Sequence, residues 1–432
     1  MSAAASTTSR LPNPAVPDQA AAPAARVRPA LREPQFVRYL VGQSVSQLGD
    51  LVWYVALSWS AVRLGSPGTA SILLSLSSIP RLVLLLFGGV LADRYDIRRL
   101  MIGSDVLRCL ITLAAAGIAL LHPGIALLAV LALSFGIVDA VFMPSSGAMQ
   151  PRLLEPEQYS GAAVISNMAA RLGLAVGAPL GGLTLALGGV PLALTVDAAT
   201  FAVSVAMLAS VRPRPLPAKP EPRQRPTALA DFRAGYRFLF HHPVLAPLNI
   251  GNILTNFGFI GPMNIGVALL SNQRGWGAAG IGTLMTGFGL GAAAGALLAG
   301  RFKIRRNVGV WIGVLGAVQG VAVFSTALAP NVLIAAITTA LAGMSSGPMS
   351  VCFSVLSQHH TPDELRGRVG SFQILSSYGT VPLAMAGTGF AAALIGIQAT
   401  YAVCGAVEVA GLLTLFAPAF RRARLEPDGS GQ

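Results

Sequence analysis

Acidic side chains are scarce in this chain. Asp and Glu together number 17 in 432 residues, and charged residues of all kinds make up 11%. A soluble domain carries about 25% charged residues, so there is too little charge here to cover a water-facing surface of this size. Lysine is almost missing, at 2 against 28 arginines. Cysteine is rare too: Cys109, Cys352 and Cys404 sit far apart within apolar runs, which excludes a disulfide framework and a cysteine metal site. Residues 307–358 contain no Asp, Glu, Lys or Arg. That stretch is too long for one membrane crossing and fits two of about 20 residues, with a turn at Ala329-Pro330-Asn331. Common enzyme signatures are also missing: there is no GxxxxGK[ST], no HExxH and no Cys/His pairing at ligand spacing. His241-His242 and His359-His360 fall at the ends of apolar runs, where solvation at an interface is the expectation rather than metal binding. No enzyme activity, cofactor or metal is therefore expected.

Apolar residues make up 53% of the chain and the mean hydropathy is +0.65. Twelve apolar spans are predicted, at about 36–62, 69–92, 100–121, 125–149, 160–187, 190–211, 244–271, 278–300, 307–328, 331–356, 369–395 and 399–419. Short turns alternate with longer basic connections. By this division 25 of the 30 Lys and Arg lie in the tails and in every second loop, and only Arg63 and Arg274 lie in the opposite set. The net charge of +13 is thus distributed as the positive-inside rule requires, which places both termini in the cytoplasm and argues against a nucleic-acid partner. Residues 1–33 are Ala/Pro/Ser-rich, without a signal-peptide core, and read as a disordered cytoplasmic tail. The expected organisation is a six-helix bundle over 34–211, a linker over 212–243, a second bundle over 244–420 and a tail over 421–432. The linker begins Pro-rich and extended. It ends in an amphipathic helix, with Leu229, Phe232, Tyr236, Leu239 and Phe240 on one face and Arg233 and Arg237 between them, expected on the inner membrane surface.

The chain repeats itself. Gly88–Arg99 reads GGVLADRYDIRR, and Gly295–Arg306 reads GALLAGRFKIRR, 207 positions later with both acids gone. Gly42–Gly49 (GQSVSQLG) matches Gly251–Gly258 (GNILTNFG) at an offset of 209. Glu155–Gly161 (EPEQYSG) matches Thr361–Gly367 (TPDELRG) at an offset of 206. Six spans separate the copies, so they share one orientation and form parallel repeats about an axis along the membrane normal.

Twelve spans as six plus six, a basic central loop and this loop motif resemble the major facilitator superfamily. The family's loop reads G-x-L-a-D-r-x-G-r-k, and Gly89, Leu91, Asp93, Arg94 and Arg98 fit it. Asp96 stands where the family has Gly; Asp tolerates a left-handed backbone better than most residues, so the turn remains possible. GQSVSQLGD, LADRYDIRRLMIGSDVLR and DFRAGYRFLFHHPVL look like the branch of bacterial enterobactin and macrolide exporters. The span 5 antiporter motif G-x-x-x-G-P-x-x-G-G is approximated by Gly173, Gly177, Pro179, Gly181 and Gly182, with the Pro displaced by one place. Gly173, Gly177 and Gly181 form a flat face, as do Gly287, Gly291 and Gly295 in span 8. The resemblance implies that spans 5 and 8 pack together across the halves.

The resemblance also implies a gate. Asp93 would dock on the positive helix N-terminus near Gly367–Gly370, worth roughly 0.3–1 kcal/mol and favouring an outward-facing state. Arg94 and Arg98 would fix it, with Asp105 and Arg108 in the same electrostatic network. Ionisable residues inside the membrane are suspect as functional. Asp50 and Asp139 are expected in the middle third of the membrane, Asp50 about 21 Å deep, as proton or substrate-cation sites with Arg81 and Arg171 as partners. A static ion pair that holds helices together is the competing reading. Asp197 and Glu408 are expected to be peripheral and structural. Gln43, Gln47, Asn252, Asn256, Asn264, Gln373 and Tyr378 are cavity candidates for a bulky, mostly apolar ligand.

The expectation is an all-α, multi-pass protein of a bacterial plasma membrane, monomeric, that exports a hydrophobic drug, antibiotic or siderophore-like metabolite as a proton antiporter, driven by the proton gradient and handled by alternating access. Its partners are the small molecule, protons and the lipid bilayer. An importer of a small solute, or a non-transporting scramblase or sensor, remains the alternative.

Overall fold

The structure is a computed structural model and describes residues 29–94, 96–122, 124–214, 228–301 and 307–423. All regular structure among these residues is helical. The first half comprises α1 (Pro34–Leu64), α2 (Pro67–Arg94), α3 (Ile97–Leu121), α4 (Ile125–Met149) and α5 (Tyr159–Ser210). The surface helix α6 is Ala228–His241. The second half comprises α7 (Leu245–Gly261), α8 (Val267–Gln273), α9 (Gly277–Arg301), α10 (Val308–Leu328), α11 (Val332–His359), α12 (Asp363–Ile395), α13 (Ile397–Ala410) and α14 (Pro418–Arg421). Among the described residues nine helices are long and apolar enough to cross a membrane, with the two limbs of α5 counted as one. α1 and α2, at 31 and 28 residues, match them in length.

α5 runs 52 residues but breaks where the sequence places a turn: Gly188 and Gly189 are non-helical. Gly189 has φ 63°, a left-handed value glycine enters without a Cβ clash, and Pro191 opens the next limb. The repeat motifs take equivalent positions. Glu155 and Gln158 form a capping box just before α5, and Thr361-Pro362 precedes α12. Gly42 lies against Met207 near the end of α5, and Gly251 lies against Thr414 just beyond α13. Asp96 corrects the expectation of a left-handed turn: it is extended, at φ −64°, and its carboxylate caps α3 by accepting from the Arg99 N–H at 2.9 Å.

Two helices depart from α geometry. Pro262–Gly266 is a π-helical turn between α7 and α8. Gly411–Phe416 tightens into a 3₁₀ helix after α13. α6 does not spend its whole apolar face on lipid. Leu239 is fully buried, Tyr236 and Phe240 stack near Phe372 of α12 (centroids 5.7 Å apart in both cases), and a Cβ on Gly235 would meet the Arg368 carbonyl at 2.9 Å.

The halves meet along α5–α9 and α2–α12. The tightest contacts lie toward the short turns: Gly182 on Ala278 and Ala279, Gly389 on Ser71, and Ser75 Oγ donating to the Pro382 carbonyl at 3.1 Å. Spans 5 and 8 meet across the halves as expected, but the glycine stripes face other helices. Gly177 and Gly181 pack on Leu51, Val52 and Val55 of α1, whereas Gly173 has nothing within 4 Å of where its Cβ would stand. Gly287, Gly291 and Gly295 pack on the carbonyls of Ala336, Ala340 and Met344 in α11. The cross-half contact uses other glycines: Gly182, Gly282 on Ala178 and Pro179, and Gly289 on Ala175. A stripe marks a flat face; it does not name the helix that comes to it.

Candidate functional site

Five helices converge on one charge cluster in the first half. Asp139 of α4 is its centre: Arg81 Nη2 from α2 donates to one carboxylate oxygen and Arg108 Nη2 from α3 donates to the other. The second guanidinium nitrogen of Arg108 lies 3.7 Å from Asp50 Oδ1 of α1 and 4.0 Å from Asp105 Oδ1 of its own helix. Asp105 is held from behind by Ser204 Oγ of α5, which donates at 2.6 Å. Arg108 is 1% exposed and sits between the rings of Phe142 and Phe201, at 4.7 and 5.4 Å. Aromatic faces on a desolvated guanidinium add to the attraction of its carboxylates. Two guanidinium groups thus face Asp50, Asp105 and Asp139, and Asp197 of α5 interacts electrostatically with Asp50 and Arg108.

A cavity of about 450 Å³ opens on this cluster, lined among others by Gln47, Asp50, Trp53, Tyr54, Arg81 and Asp139. The Asp50 side chain is 37% exposed to it, whereas Arg108 and Asp105 are sealed behind. The cluster therefore has an open rim and a closed interior. In so apolar a setting each unpaired charge is costly, and a surplus of acids over bases invites a cation or a proton.

The expected pairing is changed in one respect. Arg81 joins Asp139, but the second partner is Arg108, placed with the loop by sequence and found about three turns into α3. Arg171 makes no ion pair among the described residues, and its carbonyl is packed near Gly289 of the second half. The gate residues Gly89, Asp93 and Arg94 lie in the part of α2 whose side chains fall outside the described residues. Arg98 is visible: its guanidinium donates to the carbonyls of Leu208 (3.1 Å) and Ala209, tying α3 to the end of α5. Asp197 and Glu408, read as peripheral, are 0% and 1% exposed, and neither carboxylate has a hydrogen-bond partner among the described residues.

The amide candidates separate. Gln47 lines the first-half cavity; Gln43 donates instead to Ser146 Oγ at 2.8 Å, beside the Tyr39 hydroxyl. Asn264 sits on the π turn, where its Oδ1 accepts from the Tyr54 hydroxyl at 2.6 Å, a hydrogen bond between the halves. Gln373 donates to Ser357 Oγ at 2.8 Å and lies 3.5 Å from Asn249 Oδ1, so it clamps α12 to α11 and α7. Tyr378 of α12 interacts electrostatically with Arg81 and Asp139, bringing a second-half hydroxyl toward the first-half cluster. Asn252 and Asn256 line a separate cavity of about 310 Å³ inside the second half, with Thr255, Gln319 and Glu408. Sequence reasoning passed over Tyr54 and Ser204, whereas Gln319 was among the amides expected at a cavity. A signal for Arg108 was present: Asp105, Arg108 and Thr112 recur at helical spacing on one face of α3.

A family model described as Major Facilitator Superfamily matches residues 39–372 and 248–431. An enterobactin exporter, EntS, of Escherichia coli is 30% identical over 290 residues, covering 66% of this chain and 67% of its own length. The enterobactin exporter EntS of Citrobacter koseri is 29% identical over 357 residues, covering 79% of this chain and 82% of its own. Among solved structures, the nucleoside transporter NupG has a TM-score of 0.69 at 12% identity, covering 89% of this chain and 99% of that one. A POT family transporter in complex with 5-aminolevulinic acid has a TM-score of 0.69 at 13% identity, covering 90% of this chain and 96% of that one. At such identities the two structures share the fold and carry no further argument.

Proposed function

The chain belongs to the major facilitator superfamily, and from that premise we propose that it is a proton-coupled exporter of a hydrophobic small molecule, siderophore-like or drug-like. It works in a bacterial plasma membrane through twelve spans with both ends in the cytoplasm. The single observation that carries the coupling role is the sharing of Asp139 between Arg81 and Arg108 on the wall of a cavity whose rim is Asp50. A proton arriving at Asp139 cancels the charge that holds both guanidinium groups. Arg108 then has Asp50 within 3.7 Å, so its attraction passes from one carboxylate to the other over a short path. Substrate and proton thereby compete for one network, the requirement for exchange transport.

The relatives named as enterobactin exporters support export and a siderophore-like cargo. Alternating access is supported by where the halves touch. Their close glycine contacts and the Tyr54–Asn264 hydrogen bond lie toward the short turns, so rocking about the α5–α9 and α2–α12 seams closes one end as it opens the other. Asp93, docked near Gly367–Gly370, is proposed to favour the opposite state.

The test is transport by the purified protein in vesicles with an imposed pH gradient. Asp139→Asn is expected to abolish gradient-driven accumulation while retaining downhill exchange, and Asp50→Asn to weaken the coupling. Unchanged coupled transport in both variants overturns the coupling role. Expression in an efflux-deficient host tests direction: export raises resistance to transported drugs, and greater susceptibility points to uptake.

A further inference from the structure

The second-half cavity is built around one acid and has no base. Glu408 lies on α13, 1% exposed, and both its carboxylate oxygens lack a hydrogen-bond partner among the described residues. Gln319 Oε1 of α10, another lining residue, is likewise unpartnered. None of the residues lining the cavity is Lys, Arg or His. Three acceptor atoms in the lining thus lack a hydrogen-bond partner among the described residues. A buried carboxyl so placed is offset by a proton, by a cation or by hydrogen-bond donors brought to it.

The helices around Glu408 are shaped to admit it. A Cβ on Gly258 would stand 2.4 Å from Glu408 Cγ, and one on Gly320 would stand 2.8 Å from Glu408 Cβ. Only glycine lets α7 and α10 close over this side chain. Where the cavity needs room the backbone is also bare: at Gly316 an added Cβ would meet only Met349 Sδ and Thr255 Oγ1, both at 3.8 Å. Three residues after Glu408 the helix tightens into the 3₁₀ segment Gly411–Phe416, and Gly411 and Thr414 form part of the wall. Phe259 and Phe353 supply apolar faces suited to the body of a ligand or to a cation above a ring.

We propose that this cavity is a ligand subsite in which Glu408, with Gln319, takes the protonated amine of a hydrophobic small molecule. The ammonium group brings donors to the unpartnered oxygens and the positive charge that the site lacks, and the aromatic walls take the apolar remainder. The inference rests on the reading of the chain as a carrier of small molecules. It concerns a different cavity from the Asp50–Asp139 cluster and does not depend on the coupling ion or on direction.

The test reads binding and no transport. The full chain is placed in nanodiscs of phosphatidylcholine, and retention of 1-naphthylmethylamine is compared with that of the isosteric neutral alcohol 1-naphthalenemethanol, with empty discs subtracted. The wild type is expected to prefer the amine by about tenfold or more, as a charge-assisted hydrogen bond in a dry site provides. Glu408→Gln should remove the preference and leave alcohol binding intact, which also shows that the variant is folded. Gly316→Leu, which fills the cavity, should lower retention of both probes. Asp50→Asn should leave the preference unchanged. An equal amine-to-alcohol ratio in wild type and Glu408→Gln overturns the proposal. So does loss of the preference in Asp50→Asn alone, which would place the amine in the first-half cavity. Undiminished retention of both probes by Gly316→Leu overturns it as well. Failure of coupled transport in the experiment above leaves each of these outcomes readable.

Discussion

Asp197 and Glu408 occupy matching places in the two repeats. Each lies on the last long helical limb of its half, against the closing glycine of the first motif: Gly49 faces Asp197 and Thr200, and Gly258 faces Glu408. Each is buried, and each has two carboxylate oxygens without hydrogen-bond partners among the described residues. Their company differs. Asp197 interacts with Asp50 and with the buried Arg108, in a half dense with charge. Glu408 faces amides, hydroxyls and aromatic rings in a cavity without a base. Duplication kept the acid and its glycine, and the halves then diverged in what surrounds it. In this membrane transporter the first half surrounds its buried acid with a network of paired charges, and the second leaves its buried acid in a cavity without a lining base.

The comparison is broken most severely at Arg108. Arg108→Leu leaves three carboxylates around a missing cation and is expected to cost about 3–5 kcal/mol, enough to lower the melting temperature sharply in detergent. Glu408→Gln, which removes a charge that has no internal partner, should leave it unchanged or raise it. If both variants melt alike, the halves do not differ in the way described. Next in size is Gly291→Ala. Its Cβ would stand 1.9 Å from the Ala340 carbonyl, a backbone contact that only separation of α9 and α11 can relieve. A loss of about 1–3 kcal/mol is expected, against almost none for Gly173→Ala, whose Cβ meets nothing within 4 Å. Paired thermal unfolding curves read the difference.

Tyr54→Phe removes one cross-half hydrogen bond and leaves Asn264 Oδ1 to other donors. A shift of about 0.5–1.5 kcal/mol toward the state with the short-turn end open is expected, read as faster labelling of a cysteine introduced on that side. Unaltered labelling would show that the bond does not bias the two states. The smallest effect concerns His242 and His360, whose rings lie 5.5 Å apart where α6, α7 and α11 meet. Partial burial holds both below the usual histidine value of 6.5, and His360 lowers His242 further by its charge. His242 Nδ1 accepts from the Val244 and Leu245 N–H groups, and His360 faces His359 and the Leu356 carbonyl. A group whose folded value is depressed contributes stability at high pH and loses it as pH falls below the unfolded value. Acidification below 6.5 should therefore loosen this corner, seen as faster amide exchange at the start of α7, and His360→Gln should blunt the effect.

Much of this was legible in the sequence because it follows from the solvent. Apolar runs of bilayer length give helices, and the break at Gly188-Gly189 was marked by the residues themselves. Arg81 and Asp139 stood out because any charge in such a run is conspicuous. Arg108 was misplaced because it lies near the basic loop in sequence, while the helix carries it inward one and a half ångströms at each residue. The partners of the glycine stripes were beyond reach, since a bare face fits any helix that can approach it. Glu408 and Asp197 were visible as acids, but the cavity around one and the guanidinium near the other are products of packing between distant segments.

The π turn at Pro262–Gly266 has a consequence of its own. It acts as a phase shift: one surplus residue in a turn rotates everything beyond it by about 100° relative to an uninterrupted α-helix. α7 can therefore present Asn252 and Asn256 inward to the second-half cavity while Asn264, within the widened turn, is aimed at Tyr54 of the opposite half. A single strand of sequence thereby serves two addresses, and a one-residue deletion there would scramble the second while sparing the first.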